Sequence, residues 1–94
     1  MFKNILSSLR EKVRNRFYVM TLHAEEEMVN DNLTIFDVEH CILTGEITER
    51  QRDINSGEWK YRINGAGLDG GSICTIVKIG TSGKVVFITV FSNY

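Results

Sequence analysis

The pattern of this chain calls for an α+β fold, two to three helices packed on a four-stranded antiparallel sheet, on three grounds. Apolar residues recur at helical spacing as far as Thr44 and at every second position from Glu46 onward. Turn signals at Ile54 to Gly57, Gly65 to Gly71 and Gly80 to Gly83 cut the second half into four runs of strand length. Connections this short favour an antiparallel meander.

In residues 2–14, Phe2, Ile5, Leu6, Leu9 and Val13 make one apolar stripe with charges elsewhere, which predicts a helix. Such a stripe serves a membrane surface or a partner, or more simply docks on its own domain. Tyr18, Met20 and Leu22 alternate with Val19 and Thr21 as a short strand. Thr21 is placed to cap the next helix, with Ala24 and Met28 on its buried face and Glu25, Glu26 and Glu27 near the positive end of its dipole. Asn30, Asp31 and Asn32 stop that helix. Thr34 caps the following one with Asp37 three residues on, a variant of the capping box. Its apolar face is Ile35, Val38 and Ile42, its neighbouring ridge Phe36, His40 and Leu43, and Gly45 is the expected C′ residue. The strands are expected near 46–53, 58–64, 72–79 and 84–92.

If the last turn pairs Ile79 with Lys84, Ile73, Thr75, Val77 and Ile79 share a face with Val86, Ile88 and Val90, and that face carries the helices. The other face then holds Cys74, Ile76 and Lys78 beside Val85, Phe87, Thr89 and Phe91, an apolar strip that calls for a cover, with a homodimer as one candidate.

Ninety-four residues, 43% apolar and 10% aromatic, suffice for one domain that buries about two-thirds of its unfolded surface. We therefore read 1–94 as a single unit, with 1–16 an amphipathic N-terminal helix and 17–94 the α+β core. No run is apolar enough to span a membrane, and no signal peptide is recognisable, so the expected location is cytoplasmic. Cys41 and Cys74, far apart in sequence, suggest buried thiols rather than a disulfide or a zinc site. The net charge of −1 hides three blocks. Residues 1–16 sum to +4, residues 17–49 hold eight acids with no Lys or Arg, and residues 50–94 sum to +3. Such blocks suit a protein that shows a basic surface to an anion or to an acidic partner, although solvated faces look the same.

The His23-Ala24 pair opening a helix that closes on Met28, Leu33-Thr34-Ile35-x-Asp37-Val38, Gly45-Glu46-Ile47, Gly67-x-Asp69-Gly70 and Val86-x-Ile88-Thr89-Val90 occur here in one order. Over residues 17–92 the chain thereby resembles a family of uncharacterised small bacterial and archaeal domains that often lie beside a zinc-finger antitoxin-like gene. That family is distantly similar to the RelE, ParE and BrnT toxins. The resemblance implies a RelE-toxin-like α+β fold and membership of a toxin-antitoxin pair, with an antitoxin protein and RNA as candidate partners. It supplies no catalytic residues, and no arginine follows Asp69-Gly70, where a basic residue is common.

RNA cleavage of the RelE kind needs no metal, because the ribose 2′-hydroxyl attacks while the protein orients it, neutralises the phosphate and moves protons. The candidate catalytic residues are His23, Arg50, Lys60, Tyr61 and Arg62, with Arg52 and Lys78 as RNA-binding residues. His23 is the proton shuttle at neutral pH. Each has a plainer alternative: a structural histidine, a solvated sheet face, and core positions for Trp59 and Tyr61. Gly65-x-Gly67 leads from strand to strand and so offers no phosphate cradle, and neither a metal nor a cofactor is expected. The function is thus a metal-independent endoribonuclease toxin or, alternatively, a non-catalytic protein-binding or dimerisation module. Hairpin register bears on the choice. Asp53 opposite Glu58 sets Glu49 against Arg62 and Gln51 against Lys60, whereas a bulge at Gly57 would gather Arg50, Arg52, Lys60 and Arg62 around an anion.

Overall fold

The computed structural model describes residues 2–92. Helix α1 (Lys3–Arg14), strand β1 (Tyr18–Met20) and helices α2 (Leu22–Asn30) and α3 (Ile35–Thr44) precede strands β2 (Glu46–Arg52), β3 (Trp59–Ala66), β4 (Ser72–Ile79) and β5 (Val85–Ser92). The last four strands form the expected antiparallel meander. The sheet is nonetheless five-stranded and mixed, in the order β1-β5-β4-β3-β2, because β1 lies parallel to β5.

β1 joins for a hydrogen-bonding reason. Without it the start of β5 would leave backbone groups bare; with it, the Val85 N–H donates to the Phe17 carbonyl at 3.2 Å and the Thr21 N–H to the Phe87 carbonyl at 3.0 Å. Leu22, expected to close this strand, instead opens α2, because the Thr21 hydroxyl accepts from the Ala24 N–H at 3.1 Å and turns the chain into the helix. Past Met20 the edge of β5 is closed by side chains. The Val90 N–H donates to Glu27 Oε1 at 3.2 Å and the Ser92 N–H to Asp31 Oδ2 at 2.8 Å. Helix positions four apart rise about 6 Å and strand positions two apart about 7 Å, so two carboxylates one turn apart fit two edge donors.

α1 is docked on its own domain. Leu9 and Val13 are buried, and Arg10 donates to the Ile42 carbonyl at 3.0 Å and the Gly45 carbonyl at 2.8 Å. A cation there meets the negative end of the α3 dipole. Val38, Cys41 and Ile42 form the buried face of α3. Gly45, expected as a left-handed C′ residue, is extended, with φ −90° and ψ −176°. Its reason is space: a Cβ there would lie 2.5 Å from the Asn64 carbonyl oxygen.

The helices cover the face that carries Tyr61, Ile63, Ile73, Val77, Val85, Phe87 and Val90. Here the expected facing of the last hairpin is corrected. Ile79 pairs with Val85, and the ladder slips between Ile76 and Val77, leaving Ile88 as the extra residue of a bulge. Val85 and Phe87 therefore enter the core, while the open face shows Cys74, Ile76 and Lys78 opposite Phe91, Thr89 and Val86. With Phe87 buried in its own chain, the main reason to expect a second copy over that face disappears. Both cysteines are buried and free. Burial pushes the Cys41 thiol up to about 12, so it stays protonated and unreactive at neutral pH.

Asp37 ties the capping box to a distant loop. Its carboxylate accepts from the Thr34 N–H at 2.8 Å and hydroxyl at 3.0 Å, and from the Leu68 N–H at 2.9 Å. The Thr34 and Leu68 N–H groups hold its carboxyl below the usual 3.8. A depressed folded value means the stabilisation is fully present above 3.8 and is lost as the pH falls below it through the folded value. Asp37→Ala should cost about 1–2 kcal/mol at neutral pH in urea unfolding. The gap from the parent protein should close in acid; a gap independent of pH would contradict the charge-assisted bonds.

Candidate functional site

The basic hairpin is built by a turn that fixes its own register. Asp53 Oδ1 accepts from the N–H groups of Asn55 at 2.9 Å and Ser56 at 3.2 Å, and Gly57 takes φ +74°, which suits glycine. Hydrogen bonds from the Ser56 and Asn55 N–H groups, with help from Lys60, lower the Asp53 carboxyl. The Asp53 N–H donates to the Glu58 carbonyl at 2.8 Å, so Glu49 faces Arg62 and Gln51 faces Lys60. This is the charge-complementary register. The irregularity falls at Thr48, between Ile47 and Glu49, rather than at Gly57.

That register divides the candidate residues. Arg50 lies opposite Tyr61 and Arg52 opposite Trp59, on the face turned toward the helices. Lys60 and Arg62 stand on the other face with Glu49 and Gln51, around a shallow cleft of about 150 Å³ that Ile76 also lines. On the first face the Arg50 guanidinium lies 4.0 Å from the Trp59 ring centroid and 5.7 Å from that of Phe2, and Arg52 lies 5.2 Å from Trp59. Arg52 also donates to the Gly57 carbonyl at 3.1 Å. Tyr61 is buried against Phe2, while Trp59 is 37% exposed, so the two aromatics split between core and surface. Each cation–π contact at such an exposed place contributes about 0.5–1 kcal/mol.

On the second face Lys60 pairs with Asp53 at 3.4 Å and Lys78 with Glu58 at 3.2 Å. Arg62 lies near the Cys74 thiol, which burial holds above its ordinary value despite that guanidinium. His23 is elsewhere, on α2 over β5, its Nε2 3.2 Å from Glu27 Oε1. Between β5 and β2 lie three strand spacings, about 14 Å. The fold thus brings Arg50 and Arg52 together with Trp59, and Lys60 together with Arg62, but His23 with none of them.

Another surface, on α2 and β1, was not foreseen from the sequence. Leu22 and Val29 on α2 are 71% and 68% exposed, and Val19 of β1 is 44% exposed. With Glu25 and Glu26 the leucine and valine positions make a stripe spaced one and two turns apart, away from the buried Ala24 and the half-buried Met28. The seven-residue spacing of Leu22 and Val29 was visible, but nothing local said that this face lacks a cover.

Three helices on one face of a five-stranded mixed sheet, with the short first strand at its edge, define a small α+β domain in which no group of three or more His, Cys, Asp or Glu is placed to hold a metal among the described residues. No helix among them is long and apolar enough to cross a membrane. Residues 20–92 match the family described as Domain of unknown function (DUF4258), and the chain belongs to that family. The matched span takes in α2, α3 and the meander and leaves α1 outside. No curated protein and no solved structure matches the chain.

Proposed function

We propose that this chain is a non-catalytic protein-binding module. The observation that carries this reading is a contrast in how side chains are used. Lys60, Lys78, Arg52 and His23 each have an intramolecular polar partner, whereas Val19, Leu22 and Val29 lie uncovered beside the free edge of the sheet. Exposed apolar groups gathered at one place mark interaction sites, and single scattered ones do not.

A second reading, the RNA-cleaving toxin of a toxin-antitoxin pair with a likeness to RelE, is favoured by one feature, the Arg50–Trp59–Arg52 stack beside a partly exposed indole. Against it stands the distance from that stack to His23. Metal-free cleavage needs an acid or base and a phosphate-neutralising group within reach of one phosphodiester.

A defined single-stranded RNA, incubated without metal with purified wild type, His23→Ala and Arg50→Ala, separates the two. The binding module predicts no cleavage beyond the buffer control in any of the three. Cleavage by wild type that falls by about a hundredfold in Arg50→Ala would establish the toxin reading instead.

A further inference from the structure

The open edge of the sheet has a specific geometry. β1 pairs with β5 on one side only. In a parallel ladder alternate residues turn both backbone groups to the same neighbour. Phe17 and Thr21 bond to β5, so Val19 does too, and the N–H and C=O groups of Tyr18 and Met20 point outward. Directly beside them is a groove of about 410 Å³ lined by Tyr18, Met20, Glu25, Met28, Val29 and Ile35. Glu25 lines this groove, and Glu26 follows it on α2 on the adjoining surface with Leu22; both are exposed and form no ion pair among the described residues.

From this we infer that the β1 edge docks an extended, cationic segment of a partner protein, which adds to the sheet as a sixth strand. Its backbone meets Tyr18 and Met20, and the side chains on its helix-facing side, apolar and cationic in turn, enter the groove and meet Glu25 and Glu26. A second copy of this chain fits less well. A two-fold axis through Val19 would pair Tyr18 with Met20 of the other copy and lay the two α2 helices antiparallel. The acidic α2 helices of both copies would then flank one seam, like charge beside like charge. Charge therefore selects a foreign, basic occupant.

The inference rests on the binding-module reading and is tested with synthetic probes. Fluorescence anisotropy would follow binding of a labelled octapeptide with Thr-Val-Thr-Lys repeated twice, whose valines and lysines share one face, of the same peptide N-methylated at every second residue, and of a valine–glutamate counterpart with glutamate in place of lysine. The valine–lysine peptide should bind, and each control should bind about tenfold more weakly, through lost ladder hydrogen bonds in one case and repulsion in the other. Glu25→Lys combined with Glu26→Lys, both at exposed positions, should reverse the charge preference. Equal binding of the N-methylated peptide, an unchanged preference in the double variant, or no binding of any peptide overturns the proposal. So does a wild-type dimer that Val19→Asp dissociates. RNA cleavage by a wild type that still binds the peptide as expected would refute the non-catalytic reading alone. Absence of both cleavage and peptide binding would refute only the docking edge.

Discussion

Phe87→Ala should destabilise the domain by about 3–5 kcal/mol, a large part of the total stability of a chain this size. Phe87 has no exposed surface and meets Tyr18 edge-on, with ring centroids 5.3 Å apart and planes at 84°. Its backbone carbonyl also receives the Thr21 N–H. Truncation thus empties a core position and loosens the packing of β1 on β5. Phe91 sits on the open face opposite Cys74 and is only half-buried, so Phe91→Ala should cost about 1 kcal/mol. Urea unfolding of both variants checks the hairpin register directly. A larger loss for Phe91→Ala than for Phe87→Ala would mean that the bulge at Ile88 is wrongly placed.

Gly65→Ala should cost about 3 kcal/mol, at the upper end of what overpacking does. A Cβ at Gly65 would press directly on the Cys41 carbonyl oxygen and lie 3.0 Å from the Gly45 Cα. These obstacles are backbone atoms of the end of α3, and no side-chain rotation can clear them. Gly70 provides the contrast, because its Cβ would meet nothing within 4 Å but its φ is +87°. Gly70→Ala should therefore lose about 1 kcal/mol through left-handed strain alone. Comparable losses in thermal unfolding would show that α3 can shift away from β3.

Much of the fold was legible because it rests on neighbours in sequence. Thr21 and Thr34 cap their helices with hydroxyls that reach amides three residues away. The glycines at 57, 70 and 83 take positive φ within the expected turns. The change of period near Glu46 located all four meander strands to within two residues. The preferred register of the basic hairpin was readable too, since opposite charges on adjacent strands attract over a few ångströms.

The candidate residues were legible only as types. Lys and Arg alternate identically on β2 and β3, yet pairing odd with even positions, Glu49 with Arg62, sends Arg50 and Lys60 to opposite faces. The sequence by itself therefore determined an α+β chain with helices first, a basic hairpin and two buried thiols. The tertiary structure decided the rest. It put Phe87 inside by pairing Ile79 with Val85 rather than with Lys84, placed β1 beside β5 across more than sixty residues of chain, and left His23 remote from the arginines. A single slipped residue inverts every side chain beyond it at almost no local cost, so only the competition among long-range contacts for the core can select the face.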